Sequence, residues 1–447
     1  MISIAESEFE EALQSTMLQE DMNYILKSHK NKKTTFHNFK NPELLERNRN
    51  RDTRNQLKSS NGTTADIYDQ FYRDHQLLLK LFVILGVMPV VRSAPGIVTF
   101  SWKSYEMIYA FFLYIFTSSL VLRVGYERVK FIQTTEEFDE YIYGVIFVIF
   151  LVPHFWIPYV GWGVANQVAH YKTMWGSFQV RYYRVTGTTL TFPKLNFLII
   201  VLFIGCVLLA VMFLYSLSRL LDGFLLWHTI AYFHIITMIN MNAALFYINS
   251  RAIKRASHSL SACFKRDIKV ECTSTLITQY RLLWLNLSEI FQTFGNAYAR
   301  TYSTYLLFMS INIIIGAYGS LSEIFDSGFS FKVLGLIVLT IYCACLLFIV
   351  CDCANSATSV IAHGIQNTLL KIDLLRIDIH AQQEIDYFIL AIELNPPVVS
   401  LQGYSVINRE LISATISTIA IYLIVLLQFK LTIIAEQTYR SALTRTT

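Results

Sequence analysis

Residues 411–429 read LISATISTIAIYLIVLLQF, and their reading decides the fold. The stretch carries no charged residue. It approaches the ~20 apolar residues that one helix needs to cross a ~30 Å hydrocarbon core. Inside hydrocarbon a backbone must satisfy its own N–H and C=O groups, which makes a helix the form for such a segment. Small hydroxyls occupy its first half (Ser413, Thr415, Ser417, Thr418), and one amide, Gln428, stands near its end. An apolar helix with so thin a polar stripe suits a surface that meets water within the bilayer.

Six earlier stretches have the same apolar character: 102–122, 141–162, 195–217, 225–248, 301–318 and 332–350. The 447 residues are 54% apolar and 15% charged, high and low respectively for a soluble globular protein. The expected fold is an all-α polytopic membrane protein with seven transmembrane helices. The run 77–91 is apolar too, but Lys80 interrupts it and Pro89 ends it, so it reads as an interfacial or re-entrant lead-in.

Charge sets the expected orientation. Most of the 37 Lys and Arg precede the first span or lie in the second, fourth and sixth loops. Positive residues stay on the cytosolic side, which puts the N-terminus in the cytosol and, after seven crossings, the C-terminus outside. That is the reverse of a G-protein-coupled receptor. The net charge of +5 therefore follows topology and does not point to nucleic acid. The first residues, MISIAESEFEEALQ, lack the apolar core of a signal peptide. Residues 1–76 are polar, with basic runs KSHKNKK and ERNRNRDTR. They read as a largely disordered cytosolic tail whose basic runs can touch anionic lipid.

Two stretches between spans carry helical stripes. Leu276, Tyr280, Leu283, Leu287, Ile290 and Phe294 recur at spacings of three and four, and Ile361, Ile365, Leu369 and Ile372 repeat the pattern. Ile385, Phe388, Ile389 and Ile392 make a shorter helix that Pro396 and Pro397 end. Such faces need partners, so several spans are expected to continue into a cytosolic helical anchor domain. The alternative lays the stripes flat on the inner leaflet. The expected organisation is a tail (1–76), spans one to six (77–350) with a long fourth loop (249–300), anchor helices and linker (351–410), the seventh span (411–429) and an extracellular tail (430–447).

The spans hold almost no charge; Glu106 and Asp352 lie at span ends. Without a relay of acids or histidines, an ion-coupled pump is not expected, and the absence of an internal repeat argues against an inverted-repeat transporter. No nucleophile–base pair, metal cluster or phosphate loop appears, so neither an enzyme nor a cofactor is expected. The seven cysteines avoid the expected outer loops, so no structural disulfide is implied. The Cys343/Cys345 and Cys351/Cys353 pairs read as small apolar packing residues.

The expected outer halves of spans two to six carry Tyr143, Tyr215, Trp227, His228, Tyr232, Asn312 and Tyr318. Amphipathic groups among apolar walls suit a small-molecule pocket; an interfacial aromatic belt is the alternative. His154 and Trp156 lie between or beside Pro153 and Pro158, prolines that read as a kink. No Lys or Arg lies deep in an expected outer half, which leaves His228 as the one aid to an anion such as bicarbonate. In the last span Ala414, Thr418, Ile421, Val425 and Gln428 share one helical face. Around an oligomer axis that face is hydroxylic low down, apolar in the middle and ringed by amides above, as a dewetting gate for partly hydrated cations requires. Ordinary helix packing, with Ser, Thr and Gln as glue, fits the same residues.

The end of this span also resembles the signature of insect gustatory receptors: Thr-Tyr, five apolar residues, then Gln-Phe. Here Tyr422, LIVLL, Gln428 and Phe429 match, and Ile421 replaces the Thr. Five further stretches, YRDHQLLLKLFVILGVMPVVRSAPG, FLVPHFWIPYVGWGVA, YKTMWGSFQVRYYRVTG, WHTIAYFHIITMINMN and LNPPVVSLQGY, look like the carbon dioxide receptor branch of that family. The resemblance covers about residues 70–432 and implies a tetrameric ligand-gated cation channel in the plasma membrane of sensory neurons. It implies a pore lined by the seventh span, a gate region at Gln428 and Phe429, and a pocket in the outer half of spans two to six. It further implies paralogous partner subunits and carbon dioxide as ligand, with another small odorant or tastant as the alternative.

Overall fold

The computed structural model describes residues 65–94, 97–134, 138–220, 227–329 and 331–446. Among them are ten α-helices: α1 (Ala65–Ile84), α2 (Tyr105–Thr134), α3 (Phe138–Gly163), α4 (Ala165–Thr186), α5 (Leu195–Leu220), α6 (His228–Asp267), α7 (Ser274–Ser327), α8 (Phe331–Leu369), α9 (Ile379–Leu394) and α10 (Arg409–Thr446). Seven of these, all but α1, α4 and α9, are long and apolar enough to cross a membrane. Each contains or overlaps one of the seven expected spans; the start expected for the fourth, 225–226, lies outside the described residues.

Three of the spanning helices exceed what a bilayer needs. α6 has 40 residues, α7 has 54 and α8 has 39, against ~20 for a crossing. At 1.5 Å per residue α7 is roughly 80 Å long. The surplus gathers at one end of the bundle, here called basal, with α1, α4 and α9. There the stripes foreseen in the sequence face one another. Tyr280, Leu283, Leu287, Ile290 and Phe294 of α7, Ile361, Ile365 and Leu369 of α8, and Ile385, Phe388 and Ile392 of α9 are all buried. Trp284 Nε1 donates to Ile361 O at 2.9 Å, pinning α7 to α8. The stripes therefore cover one another.

Three boundaries move. The run 77–91, read as a lead-in, is the end of α1 and the start of a hairpin, β1 (Val90–Ala94) against β2 (Ile97–Phe100). α1 is amphipathic: Leu78, Leu79 and Phe82 are buried while Lys80 is exposed. Because α1 begins at Ala65 and buries Phe71 and His75, residues 65–76 belong to the folded body rather than to a disordered tail. At the other terminus the helix of the seventh span does not stop at residue 429 but runs on to Thr446.

Gly295 does not break α7. Its bare Cα admits the strand β3 (Ser400–Leu401): a Cβ there would meet Val399 Cα at 3.1 Å and Ser400 N at 3.5 Å. β3 and β4 (Ser405–Val406) form the linker that leads into α10. Gly295→Leu is expected to push this linker off α7 and destabilise the fold by about 1–3 kcal/mol, as overpacking does. A thermal midpoint equal to wild type would refute the close approach.

Candidate functional site

α10 is the least covered helix of the bundle. Only 6% of its membrane-length window is buried, against 78% for α6. Its contacts are chiefly with α7 and α8, and polar ties hold it at both ends. At the basal end Arg409 places Nη2 and Nε at 2.6 and 2.9 Å from Asp352 Oδ1 of α8. The Asn408 side chain there caps the helix by accepting from Leu411 N at 3.0 Å. The pair is solvent-exposed, worth about 0–1 kcal/mol, so it registers the helix more than it stabilises it. At the distal end Lys430 Nζ donates to Ser322 O of α7 at 2.9 Å. Between these ties Ile419 is the one buried residue among the described side chains of α10. Thr418, Ile421, Val425, Gln428 and Phe429 all lie exposed. The Thr418 hydroxyl donates to Ala414 O at 2.9 Å, so it is satisfied within its own helix.

The candidate pocket residues fall into separate places. Trp227, His228 and Tyr232 gather at the distal end with α2 and α3. Arg128 Nη2 donates to His228 Nδ1 at 3.1 Å, and His228 Nε2 donates to Glu127 Oε2 at 2.9 Å. Tyr232 OH donates to Phe147 O at 3.2 Å. The Arg123 guanidinium lies 5.1 Å from the centre of the Trp227 ring. Tyr215 is exposed on α5 and Tyr318 half-buried on α7. Asn312 is buried on α7, its Nδ2 donating to Phe308 O at 2.8 Å. The side chain of Tyr143 lies outside the described residues.

Arg128 corrects one sequence expectation. The first span was read as ending at residue 122, yet α2 runs on to Thr134 and carries a guanidinium only 3% exposed. A cation is therefore buried at the distal end after all, linked through His228 to the Glu127 carboxylate. His154 has a role beyond a kink: its Nε2 lies 2.9 Å from Ser118 Oγ and its ring stacks on Tyr114, joining α2 to α3.

A cavity of about 460 Å³ lies between α3, α6 and α7, in the half of α3 nearer the basal end. Its walls include Val152, Pro153, Trp156, Ile239, Tyr305 and Phe308, and none of the sequence candidates with a described side chain lines it. Val152, Trp156 and Leu307 are exposed, so it opens sideways, toward where lipid would lie. Trp156 Nε1 donates to Thr304 Oγ1 at 2.6 Å. The buried Tyr305 hydroxyl has no hydrogen-bond partner among the described residues. Apolar walls with one unused hydroxyl suit a small amphipathic molecule. The sequence signal for it was the aromatic series Tyr298, Tyr302, Tyr305 and Phe308, spaced by three and four along α7.

Comparison with known proteins is consistent along most of the chain. The family model described as 7tm chemosensory receptor matches residues 75–433. Gustatory and odorant receptor 22 of Anopheles gambiae is 40% identical over 390 residues, covering 86% of this chain and 84% of that protein. Gustatory and odorant receptor 21a of Drosophila melanogaster is 40% identical over 373 residues, covering 82% of each. The insect olfactory receptor OR5 from Machilis hrabei, solved in complex with eugenol, shares the fold at 11% identity. Its TM-score is 0.53, with 81% of this chain and all of that chain covered.

Proposed function

The chain belongs to the 7tm chemosensory receptor family, and from that premise we propose that it is one subunit of a ligand-gated cation channel responsive to carbon dioxide. It is a multi-pass membrane protein, and its relatives are receptors, not enzymes. The observation that carries the channel reading is α10, an apolar helix left 6% buried by its own chain. Lipid alone would not call for a stripe of Thr418 and Gln428 on the exposed surface. Seventh spans from four paralogous subunits, meeting at an axis, use that stripe. Ile421 and Val425 then form the apolar constriction, and Gln428 and Phe429 the gate region.

Carbon dioxide as ligand rests on the branch-like stretches of sequence. Tyr143, Tyr215, Trp227, His228, Tyr232, Asn312 and Tyr318 remain its proposed contact residues, spread over more than one place in the bundle. At a ceiling of about 1.5 kcal/mol per heavy atom, one site gains roughly 4.5 kcal/mol, a dissociation constant near the millimolar range. A nearly complete switch needs ~5.5 kcal/mol of differential binding. Several sites per channel, or a closed state only modestly preferred, follow from that shortfall. A second reading, a channel for a larger odorant or tastant, is favoured by the 460 Å³ cavity, which far exceeds a three-atom ligand.

Orientation tests the proposal against signalling through a G protein. An epitope at the C-terminus is expected to be stained on intact cells, and one at the N-terminus only after permeabilisation. The opposite staining would sink the channel topology.

A further inference from the structure

Arg300 has no part in the receptor reading. It stands on α7 at the basal end of the expected fifth span and is exposed. Its guanidinium makes no ion pair, hydrogen bond or ring contact among the described residues. Arg300, Thr304, Leu307 and Ile311 follow one another at spacings of three and four, so they form one stripe of α7. The basal end of that stripe is cationic and its distal part is apolar.

The stripe is one lip of the cavity between α3, α6 and α7. Thr304, Leu307 and Ile311 line it, with Val152 and Trp156 of α3 on the other lip. Ile157, Val160, Ile239 and Tyr305 form its buried floor. On α3 the lining runs from Ile149 to Val160, ~17 Å of helix, about one leaflet's half of the ~30 Å hydrocarbon core. Val160 stands three residues before the end of α3, where that span ends too. The cavity therefore reaches from the middle of the bilayer toward the basal headgroups. Arg300 lies one turn, ~6 Å, basal of Thr304, at that headgroup level. Trp156 Nε1 and the Thr304 hydroxyl, the polar groups at the mouth, satisfy each other and Arg300 O. The mouth thus calls for no water. Lipid tails are as apolar as these walls, so an apolar cavity open to the bilayer takes up hydrocarbon. A basic side chain at headgroup level adds a preference for anionic lipid.

We propose that this cavity seats an acyl chain of an anionic phospholipid of the basal leaflet, with the lipid phosphate on Arg300. The guanidinium offers a fork of donors that matches a phosphate. Headgroup and tail together wedge between α3 and α7. Gly295, five residues basal of Arg300 on α7, is where the linker to α10 rests, so the lipid bears on the helix that seats that linker. On the proposed orientation the basal leaflet is the cytosolic one, which holds the anionic lipids; the site itself does not depend on orientation. A larger odorant, under the second reading, has to displace this chain.

The test is tryptophan fluorescence of the full chain in phosphatidylcholine nanodiscs. They carry a small fraction of lipid brominated along the acyl chain, either phosphatidylserine or phosphatidylcholine, on both faces. The Trp156 signal is the difference between wild type and Trp156→Phe. Brominated phosphatidylserine is expected to quench it at about one fifth of the fraction that brominated phosphatidylcholine needs, the preference one arginine gives at a membrane surface. Arg300→Gln should bring the two curves together and leave the thermal midpoint at the wild-type value. Val160→Phe, which fills the floor, should weaken quenching by phosphatidylserine with Arg300 in place. Equal quenching by the two lipids in wild type means bulk lipid only and overturns the proposal. So does a preference that survives Arg300→Gln, or unchanged quenching in folded Val160→Phe. A Trp156 signal that neither lipid quenches places protein over the mouth and overturns it as well. None of these outcomes bears on the channel reading, which is decided by current.

Discussion

Trp284→Ala should leave almost no receptor at the cell surface. The indole is fully buried between α7, α8 and α9, with Phe388 at its edge and its N–H on Ile361 O. Truncating a buried Trp costs about 3–5 kcal/mol, and an orphaned carbonyl adds roughly 1–3 kcal/mol. The sum rivals the ~5–15 kcal/mol that holds a typical domain together. Trp284→Phe keeps the ring filling and drops only the donor, so it should lower the thermal midpoint while still reaching the surface. Equal expression of wild type and Trp284→Ala would mean that the packing of the basal helices does not hold the fold together.

The second large effect concerns the pore. Ile421→Ser puts a hydroxyl into the apolar middle of the α10 face, which in the proposed pore is the dry constriction that blocks ions. If each of four subunits shifts the closed–open balance by about 0.5 kcal/mol, the channel shifts by roughly 2 kcal/mol, more than tenfold in open probability. Ligand-free current should rise accordingly, and less where partner subunits keep an apolar residue. Gln428→Ala should instead alter which monovalent cations pass, with assembly unchanged. Wild-type leak in Ile421→Ser would argue that this face packs against protein or lipid and lines no pore.

The spans were legible because a bilayer imposes a length and a polarity that few residues can disguise. The basal stripes were legible for a similar reason, since Tyr280 to Phe294 keep the helical period over four turns. α1 was misread because its one exposed cation, Lys80, looks in a linear window like an interruption, whereas on a helix it marks the solvent face. Arg128 was missed because hydropathy ends the first span where the lipid-facing run ends, while the helix continues and folds its guanidinium inward onto His228. The cavity depends on how three helices splay, which no single periodicity encodes.

The central claim is tested most directly by whole-cell current during a carbon dioxide pulse at clamped pH, with second-messenger pathways blocked. The chain would be expressed alone and beside its paralogues. A rapid cation current that requires a co-expressed paralogue is the expected result. Surface-expressed chains that give no current in any combination, or a current that vanishes with the messenger block, would contradict a directly gated channel.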